Sequence, residues 1–288
     1  MQATRIPFTK MSGAGNDFVV VDNRREILKD NPSTFAQVIS ERRRGIGSDG
    51  VLILEASSKA DFLMKYYNAD GSFGGFCGNG GRCVARYAFL HGITSASPVF
   101  EALGHLYRAE VGGSRVSLEM MEPKDEKLRV ALQCDGKTLR LYQLNTGAPH
   151  VVIFLDENQE LGSANLSSID VQRLGREIRH NPYFGTEGTN VNFAAVNNDG
   201  SLSIRTYERG VEGETLACGT GSVACALIAN RVKGLGSPLM IIPKSKEPLT
   251  VRFLEEKDSY TEVYLEGNAE IVFWGELKYD PELHRIVE

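Results

Sequence analysis

Phe76-Cys77-Gly78-Asn79-Gly80-Gly81-Arg82 places a thiol directly before a glycine turn, and Ala217-Cys218-Gly219-Thr220-Gly221-Ser222 repeats the arrangement at an offset of 141 (218 − 77). Each turn runs into a segment patterned as a helix. Cys77 opens one through Val84, Ala85, Tyr87 and Ala88 to about His91, with Gly92 as its stop, and Cys218 opens one to about Arg231. At such an entry the first backbone N–H groups point outward at the positive end of the helix dipole, where they can hold a carboxylate. The same field favours a thiolate, which makes Cys77 and Cys218 a pair of usable acid/base groups. Cys83, Cys134 and Cys225 sit in apolar company and read as small core residues.

A second pair of matching stretches lies upstream of each cysteine. Gly13-Ala14-Gly15-Asn16-Asp17 precedes the apolar strand Phe18 to Asp22, and Gly147-Ala148-Pro149-His150 precedes the strand Val151 to Asp156, an offset of 134 (147 − 13). Tyr66/Tyr207, Gly78/Gly219, Gly80/Gly221 and Ala85/Ala226 follow the cysteine offset. The matches fall in the same order and in the same predicted elements, which is the signature of an internal duplication. On this alignment Asn16 is the counterpart of His150 and Asn68 that of Arg209, so the four should line one cleft.

Between these anchors each half reads mainly as strands. The spacing predicts helices over Ser33 to Arg43 and Asp170 to His180. Strands are expected near Val51 to Leu54, Asp61 to Tyr67, Val99 to Ala102, Leu106 to Val111 and Arg115 to Met121. The second half adds Leu128 to Leu132, Thr138 to Leu144, Val191 to Val196, Ser201 to Tyr207 and a closing set from Leu239 to Leu277. Strand-rich halves with one prominent helix each imply an α+β fold of two pseudo-symmetric domains. In each, a curved, mainly antiparallel sheet wraps a central helix, with an active-site cleft between the two. Pro123-Lys124-Asp125 is the expected boundary.

The bulk numbers exclude several classes. A formal net charge of -5 gives no electrostatic case for nucleic acid or an anionic membrane. The longest apolar runs fall far short of a bilayer span, and residues 1 to 20 lack a secretory layout, so the chain is expected in the cytoplasm. Its five cysteines match no disulfide framework, and no Cys-x-x-Cys or His-x-x-x-His pair points to a metal. Gly45-Ile46-Gly47-Ser48-Asp49-Gly50 has dinucleotide-like spacing, but a helix precedes it and a strand follows, the reverse of what that motif needs. Arg42-Arg43-Arg44 reads as a solvated helix end. The expected partner is a small molecule.

Two opposed thiols suit one reaction in particular. If one is a thiolate and the other a thiol, a proton removed from one face of a carbon and returned to the other inverts the stereocentre, with no metal or pyridoxal phosphate required. An amino-acid binding protein using the helix ends as carboxylate clamps would have no need of the thiols.

The sequence resembles the diaminopimelate epimerase family nearly end to end. The resemblance rests on Gly15-Asn16-Asp17-Phe18, Gly45 to Asp49, Asn68-Ala69-Asp70-Gly71, Cys77-Gly78-Asn79-Gly80, Pro149-His150, Thr189-Asn190-Val191-Asn192-Phe193, Tyr207-Glu208-Arg209-Gly210 and Glu214 to Gly221. It implies a cofactor-independent enzyme that interconverts LL- and meso-diaminopimelate, in which Cys77 and Cys218 are the bases and His150 and Glu208 assist their proton traffic. Asn16, Gly78, Asn79, Gly219 and Thr220 would hold the reacting end of the substrate. Asn68, Asn190 and Arg209 would hold the distal end, Arg209 pairing to its carboxylate in the forked geometry of a guanidinium. The family fold returns the final strand to the first domain, giving expected domains of 1–122 plus 268–288 and 123–267; a homodimer is compatible with it. Two positions depart from the family. Ala148 stands where it usually carries Asn, and Gly50 where some members carry Gln. A racemase or epimerase of another amino acid on the same scaffold is the second reading.

Overall fold

The computed structural model describes residues 3–28, 31–162, 165–257 and 259–287. By its internal contacts the chain divides into two compact units, Met1–Leu118 with Gly267–Glu288, and Glu119–Glu266.

The first unit holds β1 (Thr4–Gly13), β2 (Asn16–Asp22), α1 (Pro32–Ser40), β3 (Gly50–Glu55), β4 (Phe62–Asn68), α2 (Gly78–Leu90), β5 (Val99–Ala102), β6 (His105–Gly112) and β7 (Arg115–Glu119). The second holds β8 (Lys124–Cys134), β9 (Lys137–Asn145), β10 (Pro149–Phe154), α3 (Val171–Arg179), β11 (Asn190–Val196), β12 (Leu202–Glu208) and the short β13 (Gly213–Thr215). It continues through α4 (Gly219–Lys233), β14 (Leu239–Ile242), β15 (Leu249–Glu256) and β16 (Ser259–Asn268). The chain then returns to the first unit as β17 (Glu270–Asp280) and β18 (Arg285–Val287).

The two units are wired alike. In the first, β1–β2 is antiparallel, β2–β3 parallel, β3–β4 antiparallel, β4–β5 parallel, and β5–β6 and β6–β7 antiparallel. In the second, β9–β10, β10–β11, β11–β12, β12–β14, β14–β15 and β15–β16 show the same sequence of senses. The flanking strand is antiparallel in both, β17 on β1 and β8 on β9. This repeated topology is what the duplicated sequence encodes.

Each sheet carries a helix on either face. In the first unit Phe35, Ala36 and Ile39 of α1 pack on Val19, Val21, Val51 and Ile53, while α2 lies against β1, β2, β3, β4 and β6. In the second, Val171, Leu174 and Ile178 of α3 pack on Val151, Ile153, Val191 and Phe193, while α4 lies against β9 to β12, β14 and β15. Strands covered on both faces bury consecutive residues, which is why Phe18 to Val21 and Val151 to Phe154 read as unbroken apolar runs. Every residue of α4 from Gly221 to Ala229 is buried, as expected of a helix enclosed by its own sheet.

Two local readings need correction. The helix expected over Ser33 to Arg43 is capped by Asn31, whose side chain accepts from the Ser33 N–H, and it stops at Ser40. Arg42 lies beyond its end and turns back to Asp17 and Asp49. The pairing of Tyr66 with Tyr207, and of Asn68 with Arg209, does not survive the ladders. Asn68 stands opposite Gly50 and Thr206 opposite Asn192, while the matched strand pairs β2–β3 and β10–β11 make Gly50 and Asn192 equivalent. Asn68 therefore corresponds to Thr206, and the three-residue difference is absorbed between strand and helix.

Candidate active site

Both cysteines occupy the N-cap of their helix in nearly the same backbone conformation, Cys77 at φ -123°, ψ 117° and Cys218 at φ -118°, ψ 116°. The first ladder bonds run from Gly81 N–H to the Cys77 carbonyl (2.8 Å) and from Ser222 N–H to the Cys218 carbonyl (2.9 Å). The N–H groups of Gly78, Asn79 and Gly80, and of Gly219, Thr220 and Gly221, thus precede the helical ladder and carry its positive end. Cys218 is buried and Cys77 partly so.

In the first unit a hydrogen-bonded line of side chains surrounds this helix start. Ala14 (φ 52°) and Gly15 (φ 91°) form the left-handed pair that a two-residue hairpin loop requires, and the turn delivers Asn16 to the head of β2. Asn79 Nδ2 donates to Asn16 Oδ1 (2.7 Å), and Asn16 Nδ2 donates to Asp49 Oδ2 (3.0 Å). Behind Asn79, the fully buried Arg82 donates from Nη2 to Asn79 Oδ1 (2.7 Å). Asp49 also accepts from Arg42 (2.8 Å), which with Lys10 holds Asp17; these two cations keep the Asp17 carboxyl down at about 2 despite its partial burial. Lys10 also donates to the Gly47 carbonyl. The Gly45 to Gly50 loop is therefore the support for Asn16. Asn68, at the end of β4, donates to Ser72 Oγ (3.0 Å).

The second unit places its own group around Cys218. His150 Nε2 lies 2.8 Å from Thr220 Oγ1, and Thr220 Oγ1 lies 3.6 Å from Cys218 Sγ. Burial, reinforced by the charge of Arg209, lowers His150 to about 3, so the imidazole is neutral at pH 7. Asn190 Nδ2 donates to the Pro149 carbonyl (2.9 Å) and its Oδ1 accepts from the Arg209 backbone N–H (2.8 Å), fixing the strand end from which Arg209 projects. The Arg209 guanidinium lies 3.6 Å from the exposed carboxylate of Glu187. Desolvation raises the Glu208 carboxyl above its ordinary range, and the Thr215 hydroxyl beside it opposes the shift.

Of the expected site residues, Asn16 is bonded to Asn79 at the head of α2 and His150 to Thr220 at the head of α4, whereas Asn190 braces the Arg209 backbone, Asn68 bonds Ser72 and Glu208 lies beside Thr215. Asp49, Arg82 and Asn192 join them without having been singled out. Asn192 carried a signal, since with Asn190 it puts two amides on one face of an otherwise apolar strand. At Gly50 the departure from the family has a steric basis. A Cβ there would overlap the Tyr67 carbonyl oxygen and come within 2.5 Å of the Tyr66 ring, which fills the space. Among the described residues no group of three or more His, Cys, Asp and Glu is placed to hold a metal ion, and no helix is long and apolar enough to cross a membrane.

The family model described as Diaminopimelate epimerase matches residues 8–121 and 142–272. Diaminopimelate epimerase from Chlorobaculum tepidum is 45% identical over 271 residues, covering 92% of this chain and 98% of its own. The protein of that name from a Hydrogenobaculum species is 40% identical over 283 residues, covering 94% and 98%. Among solved structures, a probable proline racemase from Agrobacterium radiobacter superposes with a TM-score of 0.68 at 16% identity, covering 96% of this chain and 94% of its own, a likeness of fold alone. A twofold wiring with a glycine-opened cysteine helix in each half, matched in sequence nearly end to end, has one assignment: the chain belongs to the diaminopimelate epimerase family.

Proposed function

We propose that this chain carries out its family's reaction, interconverting LL- and meso-diaminopimelate, with two thiols and no cofactor. The observation that carries the reading is the shared N-cap geometry of Cys77 and Cys218 at the heads of α2 and α4. One cysteine as thiolate takes the α-proton and the other as thiol returns a proton to the opposite face. Each turnover leaves the two sulfurs with their protonation states exchanged. The N–H groups at the helix starts bind the α-carboxylate and stabilise the charge that develops as the C–H bond breaks.

Asn16, Gly78, Asn79, Gly219 and Thr220 hold the reacting end; Asn68, Asn190 and Arg209 hold the distal amino-acid group. His150 serves as a neutral hydrogen-bond donor rather than as a mobile acid, and Glu208, whose carboxyl desolvation raises above its ordinary range, assists the proton traffic. Both thiols must stay reduced, which fits the cytoplasm. A homodimer is the assembly we favour, because β17 exposes Val272, Phe273 and Trp274. Ala148, where the family usually has Asn, supports the second reading, an epimerase of another amino acid.

The deciding experiment is incubation with LL-diaminopimelate in D2O without added cofactor, following α-proton exchange and the stereochemistry of the product. Exchange with appearance of the meso isomer is expected. No exchange would overturn the reading.

A further inference from the structure

We propose that Asn192 is a positioning residue that fixes His150 as its Nε2–H tautomer and so aims the hydroxyl proton of Thr220 at the sulfur of Cys218. The Val151 carbonyl oxygen can only accept, and it lies 2.9 Å from one end of the Asn192 amide, which must therefore be the Nδ2 end. The other end, Oδ1, then accepts from the Thr206 hydroxyl at 2.9 Å. With its orientation settled in this way, Asn192 turns its second N–H toward His150 Nδ1, 3.2 Å away.

A nitrogen that faces a donor must be an acceptor, so Nδ1 carries no proton and the neutral ring carries its proton on Nε2. Nε2–H therefore donates to Thr220 Oγ1 across 2.8 Å. That uses a lone pair of the hydroxyl and leaves its own proton to find an acceptor, and Cys218 Sγ stands 3.6 Å away. The line thus runs with one polarity throughout, Asn192 to His150 to Thr220 to Cys218. Protonating His150 would set an N–H of the ring against an N–H of the amide, so the same geometry resists a charged imidazole; Arg209 is the cation that bears on the ring and acts in the same direction.

Asn192 and His150 are buried at 0% and 1% exposure, so water does not offer the ring a substitute donor at Nδ1. The position is also tightly held, because a Cβ on Gly221 would come within 2.5 Å of Asn192 Oδ1. The corresponding positions of the first unit carry other residues. Gly50 stands at the corresponding ladder position, and the counterparts of His150 and Thr220 are the two amides of Asn16 and Asn79. The bond from the Thr220 hydroxyl to Cys218 Sγ strengthens whenever that sulfur becomes charged.

The test has two arms. In the first, the full chain labelled with 15N is studied by long-range 1H–15N correlation of its imidazoles, with His150 assigned by comparison with His150→Gln. A neutral ring protonated at Nε2 is expected; protonation at Nδ1, or at both nitrogens, would overturn the proposal. In the second, Asn192→Asp replaces the donor by an acceptor of the same shape, and the proton should move to Nδ1. This arm rests on the proposed epimerase reaction. A fall in kcat of about tenfold with KM changed less than about twofold is expected. The double variant with Thr220→Val should then lose little more than Thr220→Val alone. A shifted tautomer with unchanged kcat would sink the link to Cys218. An unaltered chain that shows the Nε2–H tautomer yet does not turn over diaminopimelate would support the positioning and overturn only the substrate reading.

Discussion

The side-chain amide of Asn79 donates a 2.7 Å hydrogen bond to Asn16, and their repeat counterparts Thr220 and His150 face each other at 2.8 Å. The contact has outlived the change of both residues in the copy. What has changed is the support behind it. Asn16 leans on Asp49 at 3.0 Å, and Asp49 leans on Arg42. Asp49→Ala should leave the Asn16 amide without an acceptor for one N–H, a loss of about 1 kcal/mol or roughly fivefold. We expect it mainly as a rise in KM, with kcat changed less, in steady-state assays of the epimerase reaction.

Cys77→Ala and Cys218→Ala should each reduce turnover by at least about a thousandfold, because each removes one of two groups that act together. Cys134→Ala should not. Its thiol is buried and pushed up to about 12 by desolvation and the neighbouring Glu177, which leaves it inert. Exchange of the α-proton in D2O with the three variants checks this, and equal tolerance at all three positions would refute the two-thiol mechanism.

Gly50→Ala should destabilise the chain by about 1–3 kcal/mol, the usual cost of forcing atoms into a filled core. The added Cβ meets the Tyr67 carbonyl oxygen and the Tyr66 ring. Chemical denaturation should show a lower midpoint with an unchanged slope. Gly50→Ala should cost less in a Tyr66→Ala background than in the unaltered chain, but still destabilise it, since the carbonyl overlap stays.

Acid should unfold the protein partly through His150. Burial takes the imidazole from its ordinary 6.5 to about 3 in the fold, so the unfolded chain binds the extra proton across that window. Stability from this site is fully present above about pH 6.5 and is lost as pH falls toward about 3. Denaturation midpoints measured across that range should fall with acid, and His150→Gln should flatten the decline.

Much of this was legible in the sequence, for identifiable reasons. The Cys-Gly-x-Gly entries marked the starts of α2 and α4 because their glycines signal where a backbone turns into a helix. The runs Phe18 to Val21 and Val151 to Phe154 read as apolar strands, but that a second helix, α1 or α3, covers their other face was not legible from one strand's composition. Arg42 misled because helical periodicity says nothing of a side chain that turns back across the fold to Asp17 and Asp49. Tyr66 and Tyr207 misled because an alignment of like residues ignores the face of the sheet. Tyr66 lies against Gly50 and Gly74, whereas Tyr207 packs under Gly175 of α3. Asn192 signals itself in sequence only as a second amide on the face of β11 that carries Asn190; its contact with His150 depends on side-chain geometry across neighbouring strands, which sequence does not carry.

The two thiol-bearing helices differ from the others in stability as well as chemistry. Elsewhere the chain starts its helices with side chains that cap them, Asn31 for α1 and Asp170 for α3, each accepting a backbone N–H. Cys77 and Cys218 provide no such cap to α2 and α4. Because an oxygen-bearing cap is worth about 1 kcal/mol, the fold leaves stability unclaimed at both places. A carboxylate bound there, as proposed above, would supply the missing acceptor, so ligand should raise the melting temperature by more than its contact area alone would give. Serine at both positions should yield a chain that melts higher, catalyses nothing, and gains less from ligand, the three changes arising together from one oxygen atom in each half.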